Sequence, residues 1–70
     1  MWREYLEAVQ LLDHLRFEIK LLRIVAADHP LNTAADELAW WCHDYCHGNA
    51  TYLAWLLATQ NALDALGEAV

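Results

Sequence analysis

Serine is absent from this sequence, proline occurs once (Pro30) and glycine twice (Gly48 and Gly67). A chain so short of turn formers is ill suited to a β-sandwich or barrel, which needs many tight connections. Leucine, alanine and glutamate are plentiful instead. All three favour helices, so the expected fold class is all-α. Without serine there is no serine nucleophile. Neither glycine belongs to a phosphate loop or a dinucleotide fingerprint. A Cys–His dyad would need an orienting group and an oxyanion hole, and neither is evident. A helical hairpin of this size also has little room for an enclosed pocket. The chain is therefore expected not to be an enzyme.

Cations are the next scarcity. Arg3, Arg16, Lys20 and Arg23 are the only Lys and Arg residues, and none follows Arg23. From Ile24 to Val70 the charges are Asp28, Asp36, Glu37, Asp44, Asp64 and Glu68, which account for the whole net charge of −6. Phosphate neutralisation requires cations, so direct binding to DNA or RNA is not expected. An acidic surface suits a basic protein surface instead, including one that itself binds DNA.

Long apolar runs are missing too. The longest uncharged stretch, counting histidine as neutral, is Tyr45–Leu63. His47, Gly48, Asn49, Thr51, Thr59, Gln60 and Asn61 make it too polar to span a bilayer. The N-terminal Met1-Trp2-Arg3-Glu4 enters mixed charge at once, unlike a signal peptide. With two cysteines in such a chain, reduced thiols and a cytoplasmic location are expected.

What the sequence does have is apolar surface: 59% of its residues are hydrophobic, four of them tryptophan. A single domain spanning 1–70 buries only about 60% of the surface its unfolded chain exposes. Two or three short helices cannot hide so much apolar area among themselves, so self-association or a hydrophobic partner is expected.

Along residues 2–27, Tyr5, Ala8, Leu12, Leu15, Ile19, Leu22 and Ala26 recur every three or four positions, which predicts one long helix. Residues 28–33 form the connector, because Pro30 disfavours helical geometry at His29. Thr33, with Asp36 three residues on, predicts an N-cap in a variant capping box. A second helix is expected over 34–67, with Leu38, Trp41, Tyr45, Tyr52, Trp55, Leu56, Leu63 and Leu66 on one face. Gly48-Asn49 interrupts it. Leu38, Tyr45, Tyr52, Thr59 and Leu66 stay seven apart across this pair, which favours a continuous, kinked helix. The alternative is a three-helix bundle broken at Gly48-Asn49, with Asn49 capping the third helix. Two hairpins would pair into a dimeric four-helix bundle. Its core and dimer face are expected from Leu12, Leu15, Ile19, Leu22, Trp41, Tyr45, Tyr52, Trp55, Leu56 and Leu63.

Some residues fall outside that face. Phe17, Leu21 and Ile24 make a second apolar stripe on the first helix, which a hairpin does not need. Trp40 and Trp41 are adjacent and cannot share a face. Trp40, beside Asp36, Glu37 and Asp44, is expected to anchor a partner, since tryptophan dominates binding hot spots and charges form their rims. These seven residues are the expected partner-binding set.

Cys42-His43-Asp44-Tyr45-Cys46-His47 is the one cluster with metal-ligand character. Cys42 and Cys46, and likewise His43 and His47, stand one helical turn apart, in two pairs about 100° from each other. A tetrahedral zinc site needs four ligands, so the histidine pair would borrow two from His29, His14 or a second copy. Zinc-finger spacing is absent, and small, partly buried thiols explain the cysteines equally well. A disulfide between Cys42 and Cys46 is geometrically poor, because both point along one helix face. No metal or cofactor is expected. A metal- or redox-responsive helical module is the alternative function.

Ala39-Trp40-Trp41, Tyr52-Leu53-Ala54-Trp55-Leu56-Leu57-Ala58 and Ala62-Leu63-Asp64-Ala65-Leu66-Gly67 carry a resemblance. The long first helix, short connector and acidic Ala/Trp-rich remainder resemble small phage-encoded helical-hairpin inhibitors of the quorum-sensing anti-activator type. The resemblance implies a homodimer, phage-encoded and cytoplasmic in a bacterial host, that inhibits or sequesters a host protein. A DNA-binding regulator or nuclease complex is a plausible target of such a protein. The Cys/His cluster lies outside this pattern.

Overall fold

Two backbone reversals divide the chain into three helices: α1 (Trp2–Leu21), α2 (Pro30–Cys46) and α3 (Tyr52–Ala69). The computed structural model describes residues 2–69; Met1 and Val70, the ends of the expected domain, lie outside the described residues. The described part measures 33 × 18 × 16 Å. α2 is the central element, with α1 and α3 both packed chiefly against it.

The continuous second helix expected from the seven-residue spacing does not form. α2 stops at Cys46, and the chain takes the three-helix course instead. Gly48 adopts φ +77°, Gly48 N–H donates to Tyr45 C=O at 3.1 Å, and Asn49 N–H donates to Asp44 C=O at 2.8 Å. This pair of bonds is a Schellman closure with glycine at the left-handed position. Asn49 does not cap α3. Thr51 does, its Oγ1 accepting from Ala54 N–H at 3.1 Å. The Trp41 indole N–H donates to Thr51 C=O at 3.2 Å and ties the buried face of α2 to the start of α3.

α1 ends earlier than its periodicity implies. Arg23 sits at φ 55°, Arg23 N–H donates to Lys20 C=O at 3.3 Å, and Ile24 N–H donates to Ile19 C=O at 3.0 Å. This is the same closure built without glycine, with Ile19 and Ile24 both partly buried against the core. Leu22, placed in the core by its spacing, lies past the last helical turn and is exposed. The cap of α2 also moves. Pro30 takes the first helical position, where its missing N–H costs nothing. His29 is the N-cap, its Nδ1 accepting from Leu31 N–H at 3.1 Å, so Thr33 falls inside the helix.

The two closures predict opposite effects. An added Cβ at Gly48 meets nothing within 4 Å, so Gly48→Ala pays only for its backbone conformation. The cost should be about 1 kcal/mol, or a melting temperature lower by roughly 4–8 °C in a domain this small. Arg23→Gly should raise the melting temperature by a smaller step, because glycine's greater freedom in the unfolded chain offsets part of the relief. Thermal unfolding followed by circular dichroism checks both.

The buried core is Ala8, Leu12 and Leu15 of α1, Leu31, Ala34, Ala35, Leu38 and Trp41 of α2, and Ala58, Ala62 and Ala65 of α3. Six of these eleven are alanines. Ile19, Tyr45 and Trp55 are half-buried against them, and the Trp55 indole N–H is buried without an acceptor. Tyr52, Leu56 and Leu63 are not in the core. α3 turns its alanines inward, which lets its backbone approach α2 closely, and this leaves Tyr52, Leu53, Leu56, Leu57 and Leu63 exposed. Among the described residues, more large apolar side chains are therefore exposed than fully buried.

Candidate protein-binding site

α3 runs back along α2, and the valley between them collects side chains far apart in sequence. At one end is a depression of about 360 Å³ lined by Asp28, Glu37, Asn61, Asp64 and Glu68 among others. The next, of about 380 Å³, is lined by Glu37, Trp40, Trp41, Asp44, Ala54, Leu57, Ala58 and Asn61. The two share Glu37 and Asn61, whose side chains join across the valley: Asn61 Nδ2 donates to Glu37 Oε2 at 3.1 Å. Trp40 also borders a third depression with Asp36, Ala39 and His43.

Of the six carboxylates of the cation-free stretch, five line the two depressions of this seam, and Asp36 lies outside it, on the far side of Trp40. Among the described residues, no Lys or Arg lines any of the three. Trp40 stands between the second and third depressions, 67% exposed, with the His43 ring edge-on at 5.6 Å. An indole so placed has one flank supported and most of its area open to a partner. Leu57 provides a second exposed apolar group on the opposite wall.

The expected partner-binding set is divided by the structure. Asp36, Glu37, Trp40 and Asp44 come together on α2. Phe17 and Leu21 are exposed but line a different depression, with Lys20 and Arg23, at the end of α1. Ile24 turns partly inward against the core. Asp28, Leu57, Asn61, Asp64 and Glu68 join the seam although their local sequence gave no reason to single them out. The one signal that pointed to them was the missing cations after Arg23.

The Cys/His cluster separates into two surfaces. His43 and His47 rings lie 4.4 Å apart, and His43 Nδ1 is 3.7 Å from Asp44 Oδ1. Cys46 faces α1, its thiol donating to the Tyr5 hydroxyl at 4.0 Å, while Cys42 is half-buried. Both thiols are free. Among the described residues, no group of three or more His, Cys, Asp or Glu gathers at ligating range. Tyr5 also stacks on Trp2 at 5.6 Å and on Tyr45 at 4.7 Å, and Tyr45 meets Trp41 at 5.5 Å. These aromatic residues clasp the start of α1 to the end of α2.

Burial pushes the Cys42 thiol above its ordinary pKa, with the neighbouring Cys46 adding to the effect and Arg16 opposing it. The folded state therefore holds this proton after the unfolded chain has released it. Its contribution is fully present below the ordinary thiol pKa and is lost as pH rises through the folded value. Urea midpoints should fall from neutral to alkaline pH, and the fall should be shallower in Cys42→Ala. Under alkylation at neutral pH, Cys46 should label before Cys42, since it is the more exposed.

No family model, curated protein or solved structure shows a significant match to the chain. Among the described residues, no helix is long and apolar enough to cross a membrane.

Proposed function

We propose that this chain is a protein-binding module that sequesters or inhibits a partner through the acidic α2–α3 seam, with Trp40 as anchor. The partner is a protein with a basic surface of the kind that binds DNA, such as a host regulator or a nuclease complex. The single observation that carries this reading is the alignment of five carboxylates, scattered over some forty residues, along one valley that the exposed Trp40 borders, with Asp36 on the other side of the indole. α2 itself presents Asp36, Glu37 and Asp44 within about 12 Å along its axis. Carboxylates so arranged meet Lys and Arg that otherwise contact phosphates, and the indole and Leu57 add desolvated apolar area at the centre. The proposed role is binding, not catalysis, and it requires no metal. Inhibition of a host protein, as the phage-inhibitor resemblance implies, would follow from occupying the partner's nucleic-acid surface.

The test uses the full chain as bait against bacterial extract. A basic protein should be retained, released by rising salt and displaced by duplex DNA. A partner that binds equally well to Trp40→Ala and to the Asp36→Asn/Glu37→Gln/Asp44→Asn variant would refute the seam as its site.

A further inference from the structure

The outer face of α3 is not used by the acidic seam. Leu53, Leu56, Gln60, Leu63 and Gly67 follow one another at spacings of three, four, three and four along this helix. That is the repeat with which one helix packs against another in two-stranded coils. Tyr52 flanks it. The four large apolar side chains, Tyr52, Leu53, Leu56 and Leu63, are between 44% and 65% exposed. The core of the chain itself is on the other side of the helix, at Ala58, Ala62 and Ala65. A stripe with this period is matched to a helical occupant, and nothing among the described residues fills that place.

We propose that the occupant is a second copy of this chain, the two α3 helices pairing antiparallel across a two-fold axis near residue 58. Three observations favour a copy of itself. Charge is the first: the chain carries −6, yet no charged side chain occurs between Tyr45 and Leu63. The first three turns of α3 are the place where two such acidic molecules can meet without like-charge repulsion. Area is the second. At roughly 200 Å² for a large side chain fully exposed, the four residues offer on the order of 450 Å². That is more than half of the ~800 Å² each partner contributes to a standard interface, before Gln60 and Gly67 are added. Polar satisfaction is the third: Gln60 Nε2 already donates to Asp64 Oδ1 at 3.1 Å, so part of its hydrogen bonding survives burial.

Antiparallel pairing follows from the charges at the far end of the helix. In a parallel pair Asp64 and Glu68 would stand beside their own copies. In the antiparallel pair they lie at opposite ends, with Leu53 against the second copy's Leu63 and Leu56 against its Gln60. Because the arrangement is isologous, each substitution acts twice.

Sedimentation equilibrium of the full chain, from micromolar to several hundred micromolar, tests this directly. The expected mass is twice the 8.1 kDa of one chain. Leu56→Asp and Leu63→Asp should each raise the dissociation constant at least 100-fold while keeping the helical circular dichroism. Gln60→Lys, a milder surface change, should raise it at least tenfold, and this keeps the test open if an aspartate variant unfolds. Trp40→Ala should remain a dimer, which separates this interface from the seam. A single-chain mass at every concentration would overturn the proposal, as would a dimer indifferent to all three α3 variants. For orientation, Leu53→Cys and Leu63→Cys copies, both also carrying Cys42→Ser and Cys46→Ser, are mixed with a short bismaleimide. Links between 53 and 63 are expected, and links of 53 to 53 alone would overturn the antiparallel arrangement.

Discussion

Trp40→Ala should abolish most of the affinity for a basic partner and leave the fold untouched. The indole is 67% exposed and makes no hydrogen bond that holds α2 in place. Its loss should therefore move the melting temperature by no more than a degree or two, as for a surface substitution. Binding is another matter. A central tryptophan ringed by polar groups typically contributes at least about 2 kcal/mol, which is a loss of roughly 30-fold or more. Neutralising Asp36, Glu37 and Asp44 should act differently, lowering the association rate and flattening its salt dependence. Surface plasmon resonance at several ionic strengths separates the two effects. If Trp40→Ala lost affinity only in proportion to lost helicity, the anchor role would be disproved.

Leu38→Ala should unfold much of the population at room temperature. Leu38 is fully buried in the middle of α2, on which both other helices pack. Truncating a buried leucine costs about 2–5 kcal/mol. A 70-residue domain holds only roughly 3–10 kcal/mol in total. The core here is thin, with four leucines and one tryptophan among six alanines, so each large side chain carries a large share of it. Val25→Ala is the control. Val25 is 94% exposed and should change the urea midpoint hardly at all. A Leu38→Ala protein as stable as the Val25→Ala protein would show that the described core is not what holds the helices together.

Helix identity was legible in the sequence because periodicity and composition agree over long segments. The boundaries were not. Thr33 with Asp36 makes a sound capping box, but Pro30 and His29 start α2 one turn earlier, and local sequence does not rank the two solutions. Arg23 in a left-handed conformation has no signature of the sort glycine gives. Gly48 did announce a break, and the seven-residue spacing across it argued the other way. That spacing was a coincidence of Leu38, Tyr45, Tyr52, Thr59 and Leu66. Tyr52 ends up exposed, because α3 is a separate helix with its own inward face. Side-chain size is no guide to which face of α3 turns inward: the helix buries alanines and leaves leucines outside.

The candidate site was legible in the same uneven way. Asp36, Glu37, Trp40 and Asp44 are within nine residues on one helix, so local geometry brings them together. Leu57, Asn61, Asp64 and Glu68 reach the seam only because the turn at Gly48 folds α3 back along α2, where they meet Asp28 of the α1–α2 connector. No spacing along the chain encodes that return. Phe17 and Leu21 looked equivalent to Trp40 in hydrophobicity, yet the structure sets them among cations at the end of α1.

The segregation of charge has a kinetic consequence. With every Lys and Arg at or before Arg23, and the carboxylates of the other two helices unopposed, the molecule is an electric dipole as well as an anion. In the field of a cationic target it will rotate as it diffuses, turning its negative side forward before first touch. Encounters that would otherwise be wasted on the wrong orientation become productive, and capture speeds up most in dilute electrolyte. A small protein present in few copies would gain by this, reaching its target before a competing polyanion does.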